Sequence, residues 1–349
     1  MANLQSESPL VPGLLHKANP KAVKSMAKRS FISRNAEHLA LIGALVALSV
    51  IFSFLNPRFA SIPNLQAILS AAGLPLIIGV GATFVILIGS IDLSVEGVMG
   101  ASGMAFVLMS ANSRGTTDFG PWAWVGAVAV GAALGLTSGL IYTKVKVPSF
   151  VVTLGMWYVG LGIAIILFGT QAIPTLTDNH LSTWAAQKLW GMPHSFELAA
   201  VVAILGALVL RFTRFGRVTL AIGANEEIAK SNGLGVTRNK VAIFTIAGAL
   251  SGLAGIVAVI QLGMGSATVA QGQLFLTIPA VVIGGTALGG GKGGMLGTTL
   301  GVLLLTTINN GLIMSGVSPS FQSAVSGTIL VAAIIFTAYS KRDRLRISK

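Results

Sequence analysis

The sequence contains no cysteine, only four histidines and few charged residues. Without cysteine there is no disulfide, no thiolate metal ligand and no cysteine nucleophile. Charged residues make up 9% of the chain, whereas soluble domains carry about 25%. A surface so poor in charge would not stay hydrated, which excludes a soluble enzyme, a nucleic-acid-binding protein and a disordered chain. The histidines lie at or outside the ends of apolar runs, which argues against a buried metal cluster, and we predict no metal site.

Apolar residues are abundant instead. They form 53% of the chain, the mean hydropathy is +0.82, and there are 43 glycines, a residue that lets membrane helices approach closely. A spanning helix needs about 20 mostly apolar residues. The sequence therefore predicts an all-α polytopic membrane protein with about ten transmembrane helices. The predicted spans are 39–55, 67–89, 95–111, 121–142, 150–170, 197–212, 241–262, 274–288, 293–315 and 321–339.

The positive charges give an independent test of these spans. If the N-terminus is cytoplasmic, all but three of the 23 lysines and arginines fall on the cytoplasmic side. The exceptions are Arg58, Arg114 and Lys188. This bias is the one expected for a correct topology, so we predict a multi-pass membrane protein with both termini cytoplasmic.

The predicted spans and the distribution of charge divide the chain into four regions. We expect a cytoplasmic basic tail at 1–38, disordered over 1–20, and a transmembrane domain at 39–340. A cytoplasmic loop at 213–240 interrupts this domain, and a second basic tail covers 341–349.

Two pairs of segments echo each other. Residues 88–93 resemble 283–288, and residues 139–150 resemble 311–321. Under the predicted topology the second pair has opposite orientations, as an inverted repeat requires. The first pair does so only if 62–92 contains a broken or re-entrant helix. Small-residue coincidences are common in such a sequence, so a duplication remains an open alternative.

The loop at 213–240 contains signals for a short helix outside the membrane. Asn225 is a good N-cap, Glu226 and Glu227 suit the positive end of a helix dipole, and Gly233 can end the helix in the left-handed conformation. Two helical turns are too short to be stable alone. The segment is therefore either an ordinary capped loop helix or a surface on which a partner packs.

Five segments, taken in order, resemble the permeases of ATP-binding-cassette (ABC) importers for simple sugars, the ribose, xylose and galactoside group. The resemblance covers residues 40 to 340, and each motif is weak alone. The segments are Gly89-Ser-Ile-Asp-Leu-Ser-Val95, Pro148-Ser-Phe-Val-Val-Thr-Leu-Gly155, Gly223-Ala-Asn-Glu226 through Asn232-Gly-Leu234, Val281-Val-Ile-Gly-Gly-Thr286 through Gly290-Gly-Lys-Gly293, and Asn309-Asn-Gly-Leu312 through Gly316-Val-Ser318.

The resemblance implies a type II importer fold, a location in the bacterial inner membrane, and separate subunits for transport, ATP hydrolysis and solute binding. The permease has no ATPase of its own and no cofactor, because ATP is bound by a separate ABC ATPase subunit. A periplasmic sugar-binding protein delivers the neutral sugar, and a second permease copy or a sister permease completes the pathway. The loop helix is then the coupling helix that the ATPase moves. The residues assigned to coupling are Gly223, Asn225, Glu226, Glu227 and Gly233.

The chain also departs from the family pattern. The family usually has glycine where Ser90 and Glu96 stand, small residues where Glu227 and Asn232 stand, and an acidic residue near Leu276. These differences bear on which sugar is carried rather than on the family.

Polar residues inside the apolar runs are candidates for the sugar pathway, since such groups are costly in a membrane. Asp92 either lines the pathway or lies in a loop whose next helix is capped through Ser94. Asn309 and Asn310 either bond a passing hydroxyl or tie helices together. Thr153 and Gln273 are further pathway candidates.

Two other functions stay open at this point. An ion-coupled secondary transporter would normally place titratable groups at mid-membrane, and only Asp92 and Glu96 come near it. An intramembrane enzyme would need a base, a nucleophile or a metal set. Ser102 lies in a glycine-rich stretch typical of a membrane protease, but no histidine lies in any predicted span. A requirement for ATP and an ATPase subunit, rather than an ion gradient, would discriminate between the transporters.

Overall fold

The computed structural model describes residues 20–318 and a few single residues between 321 and 331. About three quarters of the described chain is helical. The α-helices are α1 (Pro20–Leu55), α2 (Ile62–Leu87), α3 (Val95–Met109), α4 (Pro121–Leu140), α5 (Ser149–Phe168), α6 (Asn179–Trp184), α7 (His194–Phe212), α8 (Arg214–Ala224), α9 (Glu226–Ser231), α10 (Val236–Leu262), α11 (Gln273–Ile283) and α12 (Met295–Met314). A 3₁₀-helix covers Pro57–Ala60, a π-helical turn at Ile141–Val145 extends α4, and β1 (Lys188–Leu189) pairs antiparallel with β2 (Met192–Pro193).

Seven of these helices are long and apolar enough to cross a membrane, which confirms a polytopic all-α membrane protein. Two predicted spans need correction. The predicted span 95–111 is the 15-residue α3, and 274–288 is the 11-residue α11. At 1.5 Å per residue these helices are about 22 Å and 16 Å long, short of a hydrocarbon core of about 30 Å. The predicted span 321–339 lies largely outside the described residues, as do the tails at 1–19 and 341–349.

The helices alternate in direction, so the bundle has two ends. We call the end that carries Lys144, Lys146, α8 and α9 the basic end. Contacts across several helices define the other end, which we call the opposite end. There, Asn56 Nδ2 donates to the carbonyl of Met314, and Gln66 Nε2 donates to the carbonyl of Gly191.

The core forms around α2 and α10, the two most deeply buried long helices. Close approach between α4 and α10 depends on glycine. A methyl group added at Gly131 would overlap the carbonyl oxygen of Gly248, and one added at Gly248 would overlap the carbonyl oxygen of Gly131. Only glycine allows the two backbones to pack at this separation, as in other membrane bundles.

Helix α2 is continuous over 26 residues although it contains Gly73 and Pro75. The resemblance of residues 88–93 to 283–288 could reflect an inverted repeat only if 62–92 contained a broken or re-entrant helix. No such break is found within 62–87. The break falls after the helix, at residues 88–94, which return the chain into α3. Gly73 lies against α7, where an added Cβ would be 2.8 Å from the carbonyl oxygen of Ser195.

Candidate functional site

The short helix α9 lies at the basic end, and it is built from the residues that predicted a helix in the loop at 213–240. Asn225 Oδ1 accepts a hydrogen bond from the backbone N–H of Ile228 at 2.9 Å, which is an N-cap. Glu226 and Glu227 occupy the first turn, and Gly233 has φ +71° beyond the last. The prediction of a capped helix in this loop is confirmed. Most residues of α9 are exposed. They include the apolar Ile228, which is 60% exposed.

An ion pair fixes the start of α9 to α10. Lys240 Nζ lies 2.7 Å from Glu226 Oε2, and the lysine is only 6% exposed. The same Nζ donates to the Tyr142 hydroxyl at 3.0 Å, and Ser90 Oγ donates to that hydroxyl at 3.1 Å. A buried ammonium needs such partners, because an unpaired charge is costly in a protein interior. We call Glu226, Lys240, Tyr142 and Ser90 the polar chain; it joins α9 to the loop after α2.

The backbone of Gly223 provides a second connection from this loop. Gly223 packs so closely on Leu87 and Gly291 that a Cβ would overlap the Leu87 carbonyl oxygen and the Gly291 nitrogen. The Gly291 N–H also donates to the Leu87 carbonyl at 2.8 Å. Three chain segments thus meet at this point: the end of α8, the end of α2 and the glycine-rich turn at 289–293. A displacement of α8 and α9 would act directly on both of the other segments.

Asp92, Ser94 and Thr153 come together in and around the 88–94 loop. Asp92 Oδ1 accepts from the Ser94 N–H at 2.8 Å and from Ser94 Oγ at 2.6 Å. Thr153 Oγ1 accepts from the Leu93 N–H at 2.9 Å, which holds α5 to the loop. Burial raises the pKa of the Asp92 carboxyl above its ordinary value, and the Ser94 hydrogen bonds partly oppose this. These contacts show that Asp92, Ser94 and Thr153 hold the 88–94 loop in place.

Gln273 lies on α11, and the asparagine pair lies on α12. Gln273 begins α11, and its Oε1 is buried without a hydrogen-bond partner among the described residues. Beside it, Glu96 Oε1 accepts from the Leu274 N–H at 3.0 Å. Asn309 and Asn310 are half-buried on α12, and within the described region Asn310 Oδ1 has no partner. Among the described residues, no hydrogen bond joins these three amides to Asp92, whose partner is Ser94.

A cavity of about 630 Å³ opens between α9 and the end of α4. Its walls carry four positive side chains and one negative one. The charged lining residues are Lys146, Lys230, Arg238, Lys240 and Glu226. The surface beside α9 is thus suited to an acidic partner group. In the described part of the chain, no group of three His, Asp or Glu side chains could hold a metal ion.

The sequence reasoning missed several residues that organise this region. Lys240 and Tyr142 were counted only as a charge and as part of a span, yet both belong to the polar chain. One signal was available: each is a polar side chain at the end of an apolar run, and under the predicted topology both lie on the same side of the membrane as the loop at 213–240. The role of Leu87 had no signal, because it acts through its backbone carbonyl.

A bundle of long apolar helices with an exposed short helix linked to its core defines a multi-pass membrane protein. The chain belongs to the family described as branched-chain amino acid transport system / permease component, whose model matches residues 64–334. It is 35% identical to the probable ABC transporter permease protein YphD of Escherichia coli over 323 residues, 89% of this chain and 92% of that protein.

Two further relatives have narrower names. The ribose import permease protein RbsC of Escherichia coli is 34% identical over 86% of this chain and 92% of that protein. The L-arabinose transport system permease protein AraH of the same species is 30% identical over the same shares. No solved structure matches the chain. The chain is therefore a permease component of an ABC transporter, and this confirms the family that the five motifs resemble.

Proposed function

We propose that this chain is the membrane-spanning subunit of an ABC importer that carries a monosaccharide or a related polyol. A periplasmic binding protein delivers the solute, and a separate ATPase subunit supplies the energy. The permease catalyses no reaction, and it works with a second copy of itself or a sister permease. We place it in the bacterial inner membrane with both termini and the basic end in the cytoplasm, which agrees with the charge bias.

The observation that carries this proposal is the attachment of α9. The helix is exposed, so a partner has access to it, yet it is connected to the bundle at two places. Glu226 joins it to Lys240 of α10, and Gly223 joins the preceding helix to Leu87 and Gly291. An ATPase that grips α9 would therefore move the ends of three membrane segments together.

The solute class is supported by the relatives and by the polarity of the chain. RbsC and AraH are named for ribose and L-arabinose, both neutral sugars. The chain has only ten acidic residues, and of the two near the bundle interior, Asp92 and Glu96, each has an oxygen that accepts a hydrogen bond from a backbone N–H. A bundle interior with so few acidic groups, both of them engaged by the backbone, suits a neutral polyhydroxyl solute better than an ion.

The test is reconstitution of the chain, its co-expressed ATPase and its binding protein in proteoliposomes. We expect uptake of a labelled monosaccharide, from a panel that includes D-ribose and L-arabinose, to require ATP and to persist when ion gradients are dissipated. Accumulation by the chain alone under a proton or sodium gradient would overturn the proposal in favour of a secondary transporter. ATP-dependent transport of no sugar in the panel would overturn the solute class alone.

A further inference from the structure

A non-helical stretch at residues 263–272 runs from the opposite end into the bundle before α11 begins. At its start, the Gly263 carbonyl accepts from the Leu176 N–H at 2.9 Å, and the Gly265 N–H donates to the Pro174 carbonyl at 2.8 Å. These contacts tie the start of the stretch to the loop that follows α5, at the opposite end.

The stretch then follows α3 toward the basic end. Gly265 lies beside Val107, the Ala267 carbonyl lies against Gly100, and Leu274 is bonded to Glu96. From Val107 to Glu96 is eleven residues of helix, or about 16 Å of descent. Helix α11 therefore begins roughly halfway through a core of about 30 Å.

Backbone without helical hydrogen bonding is tolerated at this depth only inside protein or beside water. The side chains of this stretch show whether it faces protein or water. Thr268 and Gln271 are exposed, and Ser266 and Gln273 are half-buried. Exposed hydroxyl and amide groups would be costly against lipid tails. Gln273 Oε1 adds a buried acceptor for which the described residues offer no donor.

We propose that Ser266, Thr268, Gln271 and Gln273 line the aqueous pathway and form a binding subsite for a neutral polyhydroxyl solute. The four side chains offer hydroxyl and amide groups that both donate and accept, which matches sugar hydroxyls. Beside them, Glu96 Oε1 is already engaged by the Leu274 N–H. This inference rests on the proposed function for the solute class, but the placement of the four residues beside water does not.

The absence of cysteine makes a direct test possible, because a single-cysteine variant of this chain carries no other thiol, and labelling is measured on the permease itself. Thr268→Cys and Gln271→Cys are introduced into the full transporter in proteoliposomes and treated from both sides with a charged, membrane-impermeant methanethiosulfonate. His180→Cys, at an exposed position of α6, is the water-accessible reference. Ile166→Cys, on α5 and 79% exposed, is the lipid-facing control.

We expect both pathway thiols to react at least about ten times faster than Ile166→Cys, because the thiolate is the reactive form and an apolar environment raises the pKa of a thiol. Reaction as slow as that control would overturn the proposal. So would thiols that react only when the permease is separated from its partners, since this would make the face a subunit interface.

A second measurement tests the subsite. Modification of Thr268→Cys or Gln271→Cys should abolish ATP-dependent sugar uptake, whereas modified His180→Cys should transport as before. Full transport by the modified pathway variants would overturn the subsite. Labelling rates do not depend on the energy source or on the sugar chosen. A failure of the proposed function would therefore appear in the reconstitution assay while the labelling pattern stayed intact.

Discussion

Lys240 Nζ, buried near the start of α10, lies 2.7 Å from Glu226 Oε2 on the exposed helix α9. One partner is almost inaccessible and the other is half exposed, so the pair connects the surface of the basic end to its interior. Tyr142 and Ser90 continue the connection to the loop between α2 and α3. A partner that moves α9 must therefore either carry Lys240 along or break this ion pair.

The first prediction concerns Glu226→Gln. The variant removes the charge that compensates Lys240, and we expect it to lower the unfolding free energy by about 1 to 3 kcal/mol, the usual cost of an unsatisfied buried group. It should also raise the ATP hydrolysed per sugar transported. Thermal unfolding of the purified permease and a paired hydrolysis and uptake assay measure the two effects.

Glu227→Gln is the matched control, because Glu227 is the next residue and has no ion pair in the described part of the chain. Equal effects of the two substitutions would show that the ion pair contributes nothing beyond the charge of α9.

The second prediction concerns Tyr142→Phe. The ring and its packing against Phe244 remain, but the hydroxyl that bonds both Lys240 and Ser90 is lost. We expect a stability loss of about 1 kcal/mol and weaker coupling of hydrolysis to uptake. Tyr158→Phe is the control, because Tyr158 is 63% exposed on α5. Unchanged coupling in Tyr142→Phe would exclude the polar chain from energy transmission.

Local signals in the sequence predicted the parts of this site that depend on local chemistry. Asn225 as N-cap and Gly233 as terminator are read from residues within one helix. Long apolar runs likewise predicted the seven long helices. The pairing of Glu226 with Lys240 could not be predicted, because many basic residues lie near that loop and only packing selects one.

The short helices α3 and α11 show that hydropathy alone does not predict where a helix ends. The run 274–288 is apolar enough for a span, but Gly284 and Gly285 end the helix early, and Gly285 has φ +90°. The stretch at 263–272 is moderately polar, and the predicted spans on either side of it, 241–262 and 274–288, place it in an external loop. Nothing local distinguishes such a loop from one that follows α3 into the bundle, since its depth depends on contacts with Gly100 and Glu96.

The third prediction concerns Gly223→Ala. The added methyl would overlap the Leu87 carbonyl oxygen and the Gly291 nitrogen, so the segments must separate. Overpacking of this kind typically costs about 1 to 3 kcal/mol. We expect the variant to insert into the membrane but to lose most coupled uptake. Gly162→Ala is the control, because an added Cβ there has no neighbour within 4 Å. Normal coupling in Gly223→Ala would contradict the direct contact of α8 with α2.

The fourth prediction concerns the charge of Asp92. Asn keeps an acceptor for the Ser94 N–H and hydroxyl, whereas Ala removes it, so Asp92→Ala should be the more destabilised variant at every pH. Burial raises the pKa of the folded carboxyl above its ordinary value of 3.8. The folded state then binds the proton more tightly, so this contribution to stability is fully present below pH 3.8 and is lost as pH rises through the folded pKa.

Asp92→Asn has no such loss, because its amide does not titrate. Its stability relative to the parent chain should therefore increase from acid to neutral pH and then level off. Thermal unfolding of the two proteins in detergent across that pH range measures the difference. A parent chain that instead gains stability over Asp92→Asn as pH rises would mean that the ionised carboxylate is the form the loop stabilises, with the Ser94 hydrogen bonds outweighing the cost of burial.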